Sequence, residues 1–210
     1  MSPQEFRYAL RYRLDIQFSN QDSSCPKCPG VLDKFCDHAI GCNGDNERIA
    51  RHNRLRDVIF NWSQKAAVNP ILEAKNITEG PTRPGDIFIP VWTKGRAAAL
   101  DVTVISSLQT SFIFHAGVSS TVALDIADSR KMIKYQATCE SMSINYAPLS
   151  VEVLGGWSNK ALSHLKKIAN LCASRSYDNL NPMSSTYFLQ QLSIALQKGN
   201  SCMWSSRFSL

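Results

Sequence analysis

Apolar residues recur at helical spacing between positions 47 and 67, and the recurring residues are Leu55, Val58, Ile59, Trp62 and Ala66. This spacing predicts an amphipathic helix, which Asn69-Pro70 ends because proline cannot continue a helix. Three short runs of strand-forming residues follow at 71–75, 87–92 and 98–105, separated by turns that contain glycine or proline. The third run, AALDVTVI, is apolar enough to form a central strand.

The second half of the chain continues this alternation of helical and strand patterns. Helices are predicted at 121–140, 157–173 and 184–198, and residues 147–154 alternate as a strand. After the last helix we expect a frayed tail. The order of helix, three strands, helix, strand and two further helices predicts an α/β fold.

Changes in amino-acid composition along the sequence divide the chain into four parts. These parts are a lead-in and linker (1–24), a cysteine-rich knuckle (25–46), a core (47–180) and a C-terminal helix with its tail (181–210). The knuckle contains so many prolines and glycines that a long regular element is excluded there. At 210 residues the chain is long enough for one folded unit with additions.

Composition adds an expectation about partners and location. The chain has 44% hydrophobic and 19% charged residues, and no apolar run approaches the length that spans a bilayer, so we expect no membrane partner. The N-terminus does not resemble a signal peptide, which indicates an intracellular protein, nuclear if the source is a eukaryote. The net charge of +6 favours a polyanionic partner such as DNA or RNA.

The knuckle contains a cluster of potential metal ligands. Cys25 and Cys28 form a CxxC pair, and His38 and Cys42 follow at HxxxC spacing. Thiolates and imidazole at these spacings suit tetrahedral zinc, and four protein ligands leave no open position, so the predicted zinc is structural. Cys36 is a competing donor that could replace His38. A set of buried thiols with a surface histidine is the alternative interpretation.

Two aspartates indicate a second site. Asp86 begins the strand IFIP after Arg83-Pro-Gly, and Asp101 lies inside the strand LDVTV, with fourteen residues between the two aspartates. Neighbouring strands can bring such carboxylates to one divalent metal, as metal-dependent phosphodiester hydrolysis requires. A carboxylate inside so apolar a strand needs a partner. The alternative is a turn-capping Asp86 and a structurally paired Asp101.

These motifs together resemble a known family. The Cys/His knuckle, the RHNRLRD helix start, R-P-x-D, DVTV and KMIKY occur in that order over about residues 25–156. This order is similar to that of the restriction-like endonuclease domain at the C-terminus of certain non-LTR retrotransposon polyproteins. That domain belongs to the PD-(D/E)xK nuclease superfamily, so the resemblance implies an αβββαβ core with an N-terminal zinc knuckle and C-terminal helices.

The resemblance implies roles for particular residues. Asp86 and Asp101 would hold Mg²⁺ or Mn²⁺, with Glu73 as a third carboxylate, although Glu73 could equally be an ordinary exposed strand residue. The superfamily lysine two residues beyond the second acid is Thr103 in this chain. The KxxKY segment offers substitutes for that lysine, and its residues are Lys131, Lys134 and Tyr135. The alternative for these lysines is a solvated helix face.

Basic residues near the start of the first core helix are candidate DNA contacts. They are Arg48, Arg51, His52, Arg54 and Arg56. Arginines at such positions supply phosphate contacts, which give affinity without sequence information. By helical spacing Arg51 and His52 point toward the sheet, whereas Arg54 and Arg56 could form a solvated basic face. His52 could act as a proton shuttle, or it could be a hydrogen-bonded structural histidine.

The sequence therefore predicts a divalent-metal-dependent DNA endonuclease of mobile-element type. Thr103 keeps open an alternative, a zinc-containing nucleic-acid-binding module of the same fold without catalytic activity. A basic protein-interaction domain that binds no nucleic acid is the third possibility.

Overall fold

The computed structural model describes residues 1–78, 83–109, 112–117, 119, 121–175 and 185–208. Within these residues the main sheet has four strands in the order β3-β4-β5-β6. They are β3 (Ile71–Leu72), β4 (Ile87–Thr93), β5 (Arg96–Ile105) and β6 (Ile144–Glu152). The first three strands are antiparallel neighbours, and β6 joins β5 in parallel. The molecule is therefore a mixed α/β protein.

Helices and a small hairpin surround this sheet. The helices are α1 (Pro3–Arg13), α2 (Asp37–Gly41), α3 (Glu47–Lys65), α4 (Ile113–Ala116), α5 (Val122–Ser141), α6 (Asn159–Arg175) and α7 (Ser185–Ser205). The hairpin pairs β1 (Ser23–Ser24) with β2 (Val31–Leu32). The predicted order of helix, three strands, helix and strand is observed, with the short α4 inserted before α5.

The strand predicted at 71–75 is shorter than expected. Only Ile71 and Leu72 pair with β4. Glu73 and Asn76 have φ angles of 49° and 57°, so the backbone turns into the left-handed region and leaves the sheet. No hydrophobic pattern over so short a run distinguishes two paired residues from five.

The two faces of the sheet are covered by different helices. The core on one face joins β4, β5 and β6 to α3, α6 and α7, with Leu100, Leu165 and Leu192 fully buried. On the other face α5 packs against Ala99 and Tyr146. Since side chains alternate along a strand, Asp101 shares the α5 face with Ala99. This alternation directs Asp101 toward α5.

The lead-in and linker predicted for residues 1–24 is wrong for most of its length. Ser2 caps α1 through a capping box with Glu5, and proline begins the helix. Tyr8 is buried and stacks against Phe18, with ring centroids 5.8 Å apart. These residues belong to a second core that also contains the cysteine-rich knuckle and Trp204. The sequence pattern missed this helix because only one face of it is covered, with a single buried residue.

The frayed tail predicted after residue 198 is also wrong. Helix α7 continues to Ser205, and its last turns bury Met203 and Trp204 completely. Ser201 donates a hydrogen bond to the Glu5 carbonyl, and Tyr8 donates one to the Phe208 carbonyl. The C-terminal segment is therefore packed between α1 and the knuckle.

Two further expectations concern the limits of the fold. The boundary predicted between residues 180 and 181 lies outside the described residues. None of the helices in the described ranges is both long enough and apolar enough to cross a membrane.

Candidate functional site

Four knuckle side chains form a compact group that could hold a metal. The group is Cys25, Cys28, His38 and Cys42, and their ligand atoms all lie within 4.8 Å of one another. The Sγ of Cys42 lies 3.9 Å from that of Cys25 and 3.6 Å from that of Cys28. Tetrahedral zinc with Zn–S bonds of about 2.3 Å places its sulfurs about 3.8 Å apart. The donor set and its spacing therefore fit a metal such as zinc.

The local chain brings His38 into this group. The Asp33 carboxylate accepts hydrogen bonds from the backbone N–H groups of Phe35, Asp37 and His38, the last at 2.7 Å. His38 Nε2 then lies 3.2 Å from the Sγ of Cys28. This turn orients His38 toward the thiols.

Cys36, the competing donor, lies elsewhere. It has a left-handed backbone with φ of 70°, and its side chain is completely buried in the second core. Burial raises the pKa of its thiol, which disfavours the thiolate that a metal would bind. The prediction that His38 and not Cys36 joins the other three cysteines agrees with this geometry.

Cys42 is poised to carry negative charge. Burial would raise the pKa of its thiol, but the Arg207 guanidinium and the Gly44 N–H outweigh burial and lower the pKa to about 6. The Arg207 side chain is fully buried, and its Nη1 lies 2.5 Å from the Glu47 carboxylate. Arg207 thus connects the C-terminal segment, the start of α3 and the cysteine group.

Asp86 immediately precedes β4 and lies against β5 beside Asp101. Ile87 and Leu100 form the last pair of the β4–β5 register, and Asp86 and Asp101 each lie one residue beyond it. The Asp86 N–H donates to the Leu100 carbonyl at 2.8 Å, and the Asp86 Oδ2 accepts from the Val102 N–H at 2.7 Å. Asp86 is therefore bonded to the residues on both sides of Asp101, in agreement with the predicted adjacency of the two aspartates.

Asp101 has two partners that come from other elements. Lys131 Nζ on α5 lies 2.8 Å from its Oδ2, and the Tyr146 hydroxyl on β6 donates to the same oxygen at 2.5 Å. Burial raises the pKa of the Asp101 carboxyl, and Lys131 and Tyr146 only partly offset this effect. The strand aspartate is thus held by a lysine and a tyrosine on the α5 face.

Asp86 has a different environment. Its Oδ2 accepts hydrogen bonds from His52 Nε2 at 3.1 Å and from the Val102 N–H at 2.7 Å. Burial opposes ionisation, but His52, the Val102 N–H and Lys131 together outweigh it and lower the pKa of Asp86. Burial also lowers the pKa of His52, but Asp86, Asn53 and Asp101 together raise it by more, so the net shift is upward. His52 therefore holds the carboxylate from α3.

Both aspartates line one open cleft of about 510 Å³. The other walls are formed by the loop that follows Cys42, the start of α3 and residues 102–104 of β5. Arg48, His52 and Lys131 line it as well. Thr103 also lines the cleft, and its buried Oγ1 has no hydrogen-bond partner among the described residues.

Three other predicted site residues make side-chain contacts with partners other than the aspartates, although the Glu73 N–H donates to the Asp86 carbonyl at 2.8 Å. The Glu73 carboxylate is 2.7 Å from Arg56 Nη1 and 2.6 Å from Arg83 Nη1. It therefore forms ion pairs where we expected a metal ligand. Lys134 is exposed and lies over the Tyr135 ring, with its Nζ 4.8 Å from the ring centroid. The Tyr135 ring contacts that of Tyr146, so it supports the tyrosine that binds Asp101.

The predicted DNA-binding arginines divide into different environments. Arg51 is 3% exposed and donates to the Ile40 carbonyl and to Asn200, so it joins α3 to α7 and cannot be the predicted DNA contact. Arg56 is ion-paired with Asp57 and Glu73. Arg54 lines a separate groove between α3 and α7, whereas Arg48 and the buried Arg51 both line the cleft, and of these two Arg48 is exposed.

No protein-family model matches this chain, and no curated protein matches it either. The chemistry of the site must therefore be inferred from its own residues.

Two contacts of the site were not anticipated from the sequence. Tyr146 reaches Asp101 because the parallel β5–β6 register pairs Tyr146 with Ala99, two residues from Asp101. Arg207 reaches Cys42 because α7 returns the chain to the knuckle. Neither tyrosine nor arginine carries a local spacing signal for such contacts, since both depend on long-range pairing.

Proposed function

We propose that this protein is a divalent-metal-dependent DNA endonuclease with a structural zinc in its knuckle. The observation that carries the proposal is the convergence of Asp86, Asp101 and Lys131 in one open cleft that Arg48 also lines. Two carboxylates can hold a divalent cation, and a lysine and an arginine beside them can stabilise phosphate charge. This combination suits phosphodiester hydrolysis. The element order of the core supports the same proposal.

Each of the two carboxylates has one oxygen that accepts no hydrogen bond from the described residues. Every hydrogen bond and ion pair between the described residues and these two carboxylates ends on Oδ2. Oδ1 of Asp86 and Oδ1 of Asp101 would therefore be the atoms that hold Mg²⁺ or Mn²⁺. A bound cation of this kind polarises the phosphate and lowers the pKa of the attacking water.

The other residues of the cleft have separate roles. Lys131 is placed to stabilise the negative charge that develops on the phosphate oxygens. His52 orients Asp86, and Tyr146 orients Asp101. Arg48 would bind a neighbouring phosphate of the substrate. In the knuckle, zinc held by three cysteines and one histidine has no open position, so its role is to hold the wall of the cleft.

The test is a cleavage assay with purified zinc-loaded protein. Labelled single-stranded, duplex and branched DNA would be incubated in Mg²⁺ or Mn²⁺ with the parent protein and with the isosteric variants Asp86→Asn and Asp101→Asn. Asp125→Asn is the matched control, because Asp125 is an exposed carboxylate on α5. We expect cleavage by the parent and the control only. Cleavage that survives both cleft substitutions would contradict the proposed site.

A nucleic-acid-binding module without catalysis is the second candidate, and Thr103 is the observation that favours it. The superfamily's catalytic lysine is absent from that strand position, and Lys131 is already paired with Asp101. Salt-sensitive DNA binding by all variants without cleavage by any of them would support this module. A mobile-element origin is carried by the family resemblance alone.

A further inference from the structure

A second groove opens from the cleft on the α5 side. It encloses about 380 Å³, and it shares Arg48, Thr103, Val104 and Lys131 with the cleft. Since the same four residues line both spaces, the groove continues the cleft beyond Asp101. It leads away along α5, past Arg130 and Lys134.

The lining of this groove is strongly basic. Its charged residues are Arg48, Arg130, Lys131 and Lys134, and no carboxylate is among the residues that line it. Of the lysines, Lys131 is paired with Asp101. Within the described part of the chain, Arg48, Arg130 and Lys134 have no carboxylate at ion-pair distance. Among the described residues, three cations of the groove therefore have no ion-pairing carboxylate.

The two outer cations are placed on one side of α5. Arg130 and Lys134 are four residues apart, so they lie one above the other on the helix surface. The Arg130 guanidinium lies 5.2 Å from the centre of the Phe112 ring, and Lys134 lies over Tyr135. These aromatic contacts limit the positions of both cations, and both residues remain exposed.

The groove between α3 and α7 does not offer the same chemistry. It contains Arg54 and Lys198, but Asp57 lines it too. It shares no lining residue with the aspartate cleft. A polyanion bound there would be disconnected from the proposed site of cleavage.

We propose that the groove along α5 binds the phosphate backbone of the DNA strand that is cut, immediately to one side of the scissile phosphate. Arg130 and Lys134 contact successive phosphates, and Arg48 contacts the phosphate nearest the cleft. The inference rests on the proposed function for the identity of the polyanion. It adds the path of the strand and assigns Arg130, which the sequence did not single out.

Binding can be measured separately from cleavage. In an Asp86→Asn background, the affinity for labelled single-stranded and duplex DNA would be measured over a range of salt concentrations. Arg130→Ala/Lys134→Ala removes the two outer cations, and Lys160→Ala/Lys166→Ala is the matched control on α6, whose apolar side packs on the opposite face of the sheet from α5. Circular dichroism and thermal unfolding verify that each variant is folded.

We expect the groove variant to bind about tenfold more weakly or worse, and the slope of log K against log salt to fall in magnitude by about 1.5, because two phosphate contacts are lost. The α6 control should match the parent. If both variants have equal affinity and equal salt dependence, the groove does not bind DNA, and the endonuclease proposal is unaffected. A loss caused instead by Arg54→Ala would overturn the groove in favour of the α3–α7 face.

Neutral backbone substitutions test the position of the strand. Methylphosphonates would be placed one at a time beside the scissile phosphate in the labelled DNA. We expect the parent to lose affinity at consecutive positions on one side only, and the Arg130→Ala/Lys134→Ala variant to lose this sensitivity. Sensitivity that persists in that variant would overturn the assignment. A parent that binds no DNA even at low salt would overturn both the groove and the proposed function.

Discussion

Lys131 on α5 and Asp101 on β5 form an ion pair of 2.8 Å between Nζ and Oδ2. The contact links α5, the helix that connects β5 to β6, to the strand that carries the second aspartate. The Tyr146 hydroxyl on β6 donates to the same oxygen, so Oδ2 of Asp101 is held from two different elements.

Removal of Lys131 should abolish cleavage without unfolding the protein. Lys131→Ala deletes the charge beside Asp101, and we expect the single-turnover cleavage rate in Mg²⁺ to fall about a hundredfold or more. Lys131→Arg should retain part of the rate. Lys160→Ala on α6 is the matched control and should cleave as the parent does.

Moving the lysine to another position that lines the cleft is a more specific test of its role. Thr103 lines the same cleft, so Thr103→Lys in the Lys131→Ala background should restore a measurable fraction of the lost rate. A full rate in Lys131→Ala alone would show that the ion pair has only a structural role.

Zinc content should depend on His38 and not on Cys36. Metal analysis of the purified parent should give one zinc per chain. His38→Ala should lower zinc occupancy and thermal stability, because one of four ligands is lost. Cys36→Ala is the matched control, since Cys36 lies outside the ligand group, and it should retain full zinc occupancy. Zinc loss from Cys36→Ala but not from His38→Ala would show that Cys36, and not His38, is the fourth ligand.

Gly30→Ala should weaken metal binding through His38. A Cβ at Gly30 would lie 2.6 Å from His38 Cε1 and 3.3 Å from the Sγ of Cys28, so the imidazole must move. Gly41→Ala is the control, because its Cβ would meet Gln109 only at an ordinary contact distance of 3.5 Å. Competition with a zinc chelator should show release from Gly30→Ala at lower chelator concentration. Identical release curves for the two variants would contradict this explanation.

Local spacing predicted the parts of the molecule whose structure is determined locally. Residues close in sequence determine the apolar face of α3, the strands β4 and β5, and the CxxC and HxxxC ligand pairs. The adjacency of Asp86 and Asp101 also followed, since a short antiparallel connection leaves few possible registers. The element order of the core could therefore be derived from the chain alone.

The remaining parts depend on contacts between distant segments. Arg51 occupies a helix position typical of a DNA contact, yet α7 covers it, and a Cβ at Gly199 would lie 2.6 Å from its Cγ. Only glycine at position 199 permits this close approach. Helical spacing directs Arg51 inward, but its contact with α7 and the docking of α1 and α7 on the knuckle leave no spacing signal, because each requires the tertiary fold.

The His52–Asp86 pair should stabilise the protein in a window of mildly acidic pH. The pKa of His52 is raised, so its contribution is complete below the unfolded value near 6.5 and is lost as pH rises through the folded pKa. The pKa of Asp86 is lowered, so its contribution is present above about 3.8 and is lost as pH falls through the folded pKa. The stabilisation is therefore greatest between about pH 4 and 6.5.

The difference in Tm between the parent and His52→Asn, measured against pH, isolates this contribution. Both proteins retain the other charged residues that line the cleft, so the effects of these residues largely cancel in the difference; they are Asp45, Arg48, Arg51, Asp101 and Lys131. We expect the difference to be largest near pH 5 to 6 and to shrink above neutrality. A difference that does not vary with pH would mean that the pair has no charged character.

The Arg207–Glu47 pair should couple the end of the chain to the start of α3. The Arg207 side chain is fully buried, and that of Glu47 is 16% exposed, so removing one partner leaves a largely buried charge. We expect Arg207→Met to lower the free energy of unfolding by about 3 kcal/mol in urea titrations at saturating zinc. The double variant with Glu47→Gln should cost less than the sum of the two single variants, because the second substitution removes a charge that has already lost its partner. Additive losses would instead assign the effect of Arg207 to contacts that are independent of Glu47, which include its hydrogen bond with the Met203 carbonyl and its interaction with Cys42.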